Sequence, residues 1–252
     1  MSAQRSNGPR EALCLRRGSE DVGALAAALY RRTCRVDFDP PGACVLELGP
    51  DLGSVAFRRL MVELKREMAR LHEEASGETL IYLSAGRFDQ QETTRPHLDG
   101  GPEQCLLMLG YEPSAIDSEL EVFDYSRCAF DRGLSPKEFL AAHNPMFASG
   151  AEVLRPYAMP VPCFSRSEYR IVCINNSSAA RSDEEPAWQG VLHTVTIPAP
   201  CASERRVVDS TLIAPAPRGT PDAIDDDAVE DFVTTSEVRG REDGAPGFGD
   251  EA

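Results

Sequence analysis

The chain has 252 residues, of which 42% are hydrophobic and 27% charged, proportions that are ordinary for one globular domain with appendages. Its formal net charge of −15 argues against a nucleic-acid backbone as partner, and no apolar run approaches the roughly 18–20 residues of a membrane span. The N-terminus has no apolar stretch after its basic residues, so it lacks the form of a secretory signal, and we expect a cytoplasmic protein.

The eight cysteines are scattered, and no two of them form a C-x-x-C pair. Several lie inside apolar runs, such as Cys105 in QCLLMLG and Cys173 in RIVCIN. We therefore expect free thiols that act as small buried hydrophobic groups in a reducing compartment.

The first half of the chain begins with a segment, residues 1–20, that we expect to be loose. Helical propensity marks residues 21–32, and the runs CRVDF and CVLELG flank a turn at residues 39–42, which predicts two strands. Residues 54–75 form the clearest predicted helix, with Gly77 as its stop. Its apolar positions recur at spacings of three and four: Leu60, Met61, Leu64, Met68 and Leu71.

Seven or eight short apolar or alternating runs follow that helix and predict strands. One helix interrupts them, opened by a capping box at Ser135 and Glu138 with Pro136 at the first helical position. This order predicts a mainly β fold with flanking helices, of the α+β type: a sandwich or barrel with helices packed on one face. We assign this domain to residues 21–213.

The last 39 residues, 214–252, carry eleven acidic and three basic residues and are rich in Pro and Gly. Few large apolar side chains are present to offset the entropy of ordering them. We expect a mostly disordered acidic tail, with room for a short helix at residues 223–233.

Only four histidines are present, so the position of each is informative. His97 and Asp99 are two apart in a segment that we interpret as a strand, where alternate side chains point the same way. Gly100 and Gly101 follow and allow a sharp turn. His193 lies in a second strand-like run and could complete a group of three in space.

Two imidazoles and one carboxylate on one face of a metal leave three positions open, as in non-haem Fe(II) oxygenases. A structural zinc site would instead be closed by four protein ligands. We therefore expect His97, Asp99 and His193 to bind one Fe(II), with no catalytic side chain beyond these ligands.

The runs RFDQQETTRPHLDGGPEQCLLMLGYEPS and GVLHTVTIPAPCASERRVVDSTLIAP resemble the 2-oxoglutarate/Fe(II)-dependent dioxygenase superfamily. That family has an H-x-D motif, a distal His and an Arg about ten residues further on. The resemblance implies a double-stranded β-helix, or jelly roll, supported by the N-terminal helices. It also implies the small molecules 2-oxoglutarate and O2 as partners, and hydroxylation of an unidentified substrate with release of succinate and CO2.

By the same resemblance, Arg206 or Arg205 would bind the distal carboxylate of 2-oxoglutarate, because a guanidinium fork matches a carboxylate with two parallel hydrogen bonds. The two side chains point to opposite faces of a regular strand, and we favour Arg206. The spacing from His193 is longer than the family's pattern, and Val rather than Ser follows two places on.

Two alternatives remain. One is a non-catalytic, cupin-like metal-binding β-barrel, although such proteins usually carry more histidines. The other is an interaction protein whose acidic tail recruits a partner. The basic residue after the distal His discriminates between them and the oxygenase, because only the oxygenase requires it.

Overall fold

The computed structural model of the protein describes residues 13–182 and 184–240. In this part of the chain, a large and a small β-sheet are accompanied by six α-helices. The elements are, in chain order, β1 (Cys14–Arg16), α1 (Val22–Thr33), β2 (Ala43–Gly49), α2 (Ser54–Ser76), β3 (Glu78–Asp89), β4 (Leu106–Tyr111), β5 (Glu119–Phe123), α3 (Tyr125–Asp131), α4 (Pro136–Ala142), α5 (Ala148–Leu154), a 3₁₀ turn (Arg155–Tyr157), β6 (Ala158–Pro160), β7 (Tyr169–Asn175), β8 (Leu192–Thr196), β9 (Val207–Pro217) and α6 (Asp226–Thr234).

The six-stranded sheet has the order β1-β2-β7-β4-β9-β3, and the three-stranded sheet has the order β6-β5-β8. Every strand pair is antiparallel except β1 with β2. Neighbours along the sequence are often not neighbours in a sheet, because the chain repeatedly crosses between the two sheets.

The two predicted N-terminal helices are confirmed, and both cover the outer face of the large sheet. The side chain of Asp21 caps α1 by accepting a hydrogen bond from the Ala24 amide at 2.8 Å. Gly77 ends α2 in the left-handed conformation, with φ 81°, which a residue without Cβ adopts freely. The apolar side of α2 is buried against alternate residues of β4, such as Leu106 and Met108.

A second core lies between the two sheets, and the opposite set of alternate residues forms it. Leu107 and Leu109 of β4 pack there with Val172 of β7 and with Val122 and Val195 of the small sheet. Both faces of the large sheet are therefore buried, one under helices and the other under the small sheet.

The first of the two strands predicted before residue 49 is wrong. Residues 34–38 form an irregular loop because the Arg35 side chain turns inward, where its Nε donates to the Gln189 carbonyl at 2.9 Å and its guanidinium pairs with Asp124. Asp124 also caps α3, by accepting a hydrogen bond from the Arg127 amide. The run ELEVFDYSR, expected as one strand, therefore ends as a strand at Phe123 and continues as a helix.

The N-terminal segment is more ordered than expected where it is described. Residues 1–12 lie outside the described part, but β1 pairs in parallel with β2, with Cys14 opposite Val45. Cys14 forms a disulfide with Cys163, which corrects the expectation that all eight thiols are free; the other six cysteines are free. Cys14 lies in β1 at the edge of the large sheet, and Cys163 lies in the loop that precedes β7, so the two sulfur atoms meet there.

The acidic tail also differs from the expectation of disorder over residues 214–252. Residues 214–217 belong to β9, and α6 follows, whereas residues 241–252 lie outside the described part. Phe232 and Val233 are buried in the core under α2. Composition alone does not predict this order, because a few buried apolar residues and long-range hydrogen bonds stabilise the segment. Arg58 of α2 donates these bonds to the carbonyls of Val233 and Thr235.

None of the helices in the described residues is both long enough and apolar enough to cross a membrane.

Candidate metal centre

The segment that carries His97 runs along β8 without being a regular strand. The backbones of His97 and His193 exchange two hydrogen bonds, of 3.1 and 3.2 Å, in an isolated antiparallel bridge. Before that bridge, Thr93 and Thr94 accept bonds from the Ile197 and Val195 amides through their hydroxyl groups. The predicted strand is thus an irregular edge, in which threonine hydroxyl groups accept hydrogen bonds that backbone carbonyls would accept in a regular strand.

This bridge places the two histidines face to face. The ring centroids of His97 and His193 are 4.3 Å apart, and Nε2 of His97 is 3.2 Å from Oδ1 of Asp99. One ligand atom from each of the three side chains lies within 4.8 Å of the other two, so the group could hold a metal ion. The residues that the sequence singled out are therefore brought together.

The three side chains differ in exposure. The His97 side chain is 30% exposed and the Asp99 side chain 39%, whereas His193 is buried. An ion bound here would have protein on the His193 side and an open face toward solvent on the other.

Hydrogen bonds set the orientation of His97. Its Nδ1 lies 2.7 Å from the Arg95 carbonyl oxygen, which only accepts, so Nδ1 carries the proton and Nε2 faces Asp99. Nδ1 of His193 is buried and has no hydrogen-bond partner among the described residues.

Burial and charge set the protonation of the three groups. Burial lowers the pKa of His193 to about 4, so its imidazole is neutral near pH 7. Burial also lowers the pKa of His97, but the hydrogen bond and charge of Asp99, together with backbone hydrogen bonds at Arg95 and His193, outweigh it and the pKa is raised. For Asp99, burial raises the pKa, and the two histidines more than offset that effect and lower it.

Asn176 fixes the backbone of Asp99 and was missed by sequence reasoning. Its Oδ1 accepts from the Asp99 amide at 2.9 Å, and its Nδ2 donates to the Asp99 carbonyl at 2.8 Å. The i, i+2 spacing pointed to two side chains that do lie side by side, but Asp99 lies beyond the bridge. The Asn176 amide, rather than strand alternation, holds the Asp99 backbone there.

The two candidate arginines differ in burial, and both lie just before β9 rather than within a regular strand. Arg205 is exposed, whereas Arg206 is 3% exposed, just before β9. Arg206 stacks with its Cζ 4.9 Å from the Tyr111 ring centroid, and its Nη1 donates to the backbone and side-chain oxygens of Gln90. Of the two, only Arg206 is directed into the space between the sheets.

A further buried cation, Arg170 of β7, was not predicted. It is 2% exposed and lies directly across from Tyr111 in the β4–β7 register. A signal was present in the run YRIVCIN, because an arginine in a strand that is apolar on both faces must be buried on one of them.

Other polar residues near the motif serve the framework. Arg87 points away from the centre and pairs with Asp209 and Glu112 on the helix side of the sheet. His72 bonds to the Tyr30 hydroxyl within the helical layer, and His143 ends α4.

The chain is thus a mixed α/β protein with two facing sheets and a His-Asp-His group suited to a metal ion. No protein-family model and no curated protein matches its sequence. A solved structure described as "iron and alpha-ketoglutarate-dependent endoperoxidase NvfI with different conformation" is similar over 76% of this chain and 82% of that one, with 12% identity and a TM-score of 0.35. A likeness of this size carries no argument about the chain's fold or chemistry.

Proposed function

We propose that the protein is an Fe(II)- and 2-oxoglutarate-dependent dioxygenase that hydroxylates an unidentified substrate, with His97, Asp99 and His193 as the metal ligands. The observation that carries the proposal is the convergence of two imidazoles and one carboxylate within 4.8 Å, with one side open. This donor set with open positions is typical of non-haem Fe(II) oxygenases.

The residues fit a metal on three counts. The 3.2 Å between His97 and Asp99 is close to the roughly 3 Å that separates adjacent ligands when metal bonds are about 2.1 Å long. The neutral state of His193 is the one that binds metals. The hydrogen bond from His97 Nδ1 to a carbonyl is the outer contact that metal-binding histidines usually have.

The order of the strands supports a double-stranded β-helix. From β3 onward, the chain passes from the large sheet to the segment 93–97 beside β8, back to β4, and on to β5 and β6 in the small sheet. It then returns to β7, crosses to β8 and ends in β9. A jelly roll likewise divides eight strands between two facing sheets joined by long crossovers, and this likeness supports the proposed fold.

Fe(II) bound with 2-oxoglutarate and O2 would supply the oxidation, in which one oxygen atom enters the substrate and the other enters succinate as CO2 is released. The chain's own part is positional. Its ligands hold the ion at the rim of the inter-sheet core, and Arg206 offers a buried positive charge for the distal carboxylate of the cosubstrate. The apolar residues of the inter-sheet core exclude water from one side.

The buried Arg206 favours an oxygenase over a cupin-like barrel. An oxygenase requires a buried cation to bind the cosubstrate carboxylate, whereas a barrel that only binds metal does not. The absence of nucleic-acid and membrane partners stays a prediction. The cytoplasmic location also stays a prediction, and the Cys14–Cys163 disulfide argues against it, since such bonds are rare in reducing compartments.

Iron stoichiometry tests the ligand assignment. The wild type should bind one Fe(II) anaerobically, and His97→Ala, Asp99→Ala and His193→Ala should each reduce the bound iron. His143→Ala is the matched control, since His143 ends α4 outside the group of three, and it should retain full stoichiometry. If His97→Ala binds as much iron as His143→Ala, the proposed ligands are wrong.

A further inference from the structure

One disulfide joins the edge of the large sheet to the loop at residues 161–168, which lies between β6 and β7. Cys14 of β1 and Cys163 of this loop are 149 residues apart in the sequence. An ion pair between Arg16 and Glu168 links the same two segments, but its atoms are 3.7 Å apart and the Arg16 side chain is 67% exposed. Such a pair contributes little, so the covalent bond is the stronger link.

The loop closes one end of the inter-sheet core. Phe164 follows Cys163 directly, and its ring meets that of Tyr111 edge-on, with 4.8 Å between the centroids. The same ring lies 4.4 Å from Cζ of Arg170. Tyr111 and Arg170 are 3% and 2% exposed, so Phe164 helps to keep water away from both. The position of the loop therefore decides whether this end of the core meets solvent.

Polar contacts at the surface hold the second half of the loop. The Ser114 amide donates to the Arg166 carbonyl at 2.9 Å, and the Arg166 guanidinium donates to the Ala115 carbonyl at 3.1 Å. Arg166 also pairs with Asp117 at 3.0 Å, and both side chains are exposed. Contacts of this kind are individually weak, which leaves the disulfide and the Phe164 ring as the main attachments of the loop.

The Cys14–Cys163 pair differs from the other cysteines in its surroundings. Cys44 and Cys173 lie directly opposite each other in the β2–β7 register, and both are fully buried free thiols. Cys14 and Cys163 are each partly exposed, so a small thiol compound can reach the bond between them. Exposed disulfides are the labile and regulatory ones, whereas structural disulfides resist reduction. In compartments that keep most thiols reduced, a disulfide is usually transient or redox-sensing.

We propose that the Cys14–Cys163 disulfide is a redox latch: the oxidised form holds the loop 161–168, with Phe164, over the end of the inter-sheet core, and reduction by a thiol compound releases it. A thiolate attacks one sulfur of the disulfide, the S–S bond breaks and a mixed disulfide forms. The other cysteine leaves as a thiolate and takes up a proton. A second thiol then resolves the mixed disulfide, so the chain gains two electrons and two protons and the reductant ends as its own disulfide.

The latch has a consequence for the cosubstrate that rests on the proposed function. Tyr111, which Phe164 covers, also stacks with Arg206, whose Cζ is 4.9 Å from the ring centroid. The proposed function places the distal carboxylate of 2-oxoglutarate at Arg206, so on that proposal the redox state controls how far this end of the site is closed to solvent. The existence of the latch does not depend on the proposed function.

Limited proteolysis of the full chain with trypsin tests the latch. Arg166 lies in the loop, and Arg218, at an exposed position after β9, is an internal reference site. The wild type is oxidised with oxidised glutathione or reduced with dithiothreitol, and the reagent is then removed. Cleavage after Arg166 should be about tenfold faster or more in the reduced protein, whereas cleavage after Arg218 should change less than about twofold. Re-oxidation should restore the slow rate.

Single substitutions remove the bond without a reagent. Cys14→Ser and Cys163→Ser should each be cleaved after Arg166 as fast as the reduced wild type, with or without oxidant. Cys201→Ser is the matched control, because Cys201 is a partly exposed free thiol, and it should keep the full redox response. Amide hydrogen exchange gives a second readout: the Ser114 amide, which donates to the loop, should exchange faster in the reduced protein.

Three results would overturn the latch. If mass spectrometry finds no peptides joined through Cys14 and Cys163 after oxidation, the bond does not form. Equal cleavage after Arg166 in the oxidised and reduced proteins would show that the bond does not hold the loop. Equal acceleration after Arg166 and Arg218 would show that reduction loosens the whole fold rather than the loop.

These outcomes are distinct from failure of the proposed function. If cleavage after Arg166 responds to reduction while the His-Asp-His group takes up no iron, the latch stands and the oxygenase assignment fails. If iron and 2-oxoglutarate bind together while the two redox states are cleaved alike, the latch fails and the oxygenase assignment stands.

Discussion

Replacing Asn176 with alanine removes the clamp on the backbone of Asp99. Asn176 is 2% exposed, and its amide makes hydrogen bonds of 2.9 and 2.8 Å to the amide and carbonyl of Asp99. In Asn176→Ala both Asp99 backbone groups lose these partners, and the carboxylate is no longer fixed beside His97.

The expected cost has two parts. Two hydrogen bonds of about 1 kcal/mol each, with some added penalty for buried groups left unpaired, give a loss of about 2–3 kcal/mol in the free energy of unfolding of the metal-free protein. Loss of a partner that orients a metal ligand lowers metal affinity by about 10- to 100-fold.

The neighbouring Asn175 provides a matched control. It is fully buried, donates to the Thr33 carbonyl at 2.9 Å and accepts from the Ser177 amide at 3.2 Å, with no bond to a proposed ligand. Asn175→Ala therefore loses two such bonds, whereas Asn176→Ala also loses a weaker one from Nδ2 to Cys105 Sγ at 3.3 Å. The two variants should be destabilised by similar amounts, while the metal affinity of Asn175→Ala stays close to that of the wild type.

Urea unfolding of the metal-free proteins gives the first quantity, and anaerobic Fe(II) titration against a competing chelator gives the second. Asn176→Ala should lose both stability and metal affinity, whereas Asn175→Ala should lose only stability. Equal metal affinities in the two variants would refute the role given to Asn176.

Two further substitutions test the contacts that stabilise the fold. Arg58→Met should lower the free energy of unfolding by about 3 kcal/mol, because buried Arg58 donates to the carbonyls of Val233 and Thr235. Arg59→Met, at an exposed ion pair with α6, should lower it by less than about 1 kcal/mol, and similar losses on urea unfolding would contradict this. Burial lowers the pKa of His72 below its ordinary 6.5, so the unfolded chain binds a proton that the folded one does not. The His72 contribution to the free energy of unfolding should therefore fall on acidification from pH 6.5 to the lowered pKa, by about 1.4 kcal/mol per pH unit. If the free energy of unfolding of His72→Gln depends on pH as that of the wild type does, His72 is not the source of this effect.

The sequence was sufficient to predict the elements whose periodicity is strong. The helix at 54–75 and the strands that became β4, β7 and β9 follow from spacing alone. Arg205 and Arg206 differ in burial, as alternation along an extended chain would give, although both precede β9.

Long-range contacts explain what the sequence did not predict. Asn176 appeared only as part of an N-x-[ST] pattern, and nothing local indicates that it meets Asp99 across the fold. The inward turn of Arg35 depends on Asp124 and Gln189, which lie far along the chain. The order of the acidic segment likewise depends on Arg58, more than 170 residues before its partner carbonyl.

We propose above that His97, Asp99 and His193 hold one Fe(II) and leave positions open for 2-oxoglutarate. Anaerobic addition of 2-oxoglutarate to the iron-loaded protein should produce the weak visible metal-to-ligand charge-transfer band of the chelate, at one equivalent per chain. The band should be lost in His193→Ala and retained in His143→Ala. A protein that is shown to bind iron but develops no band with 2-oxoglutarate would contradict the claim.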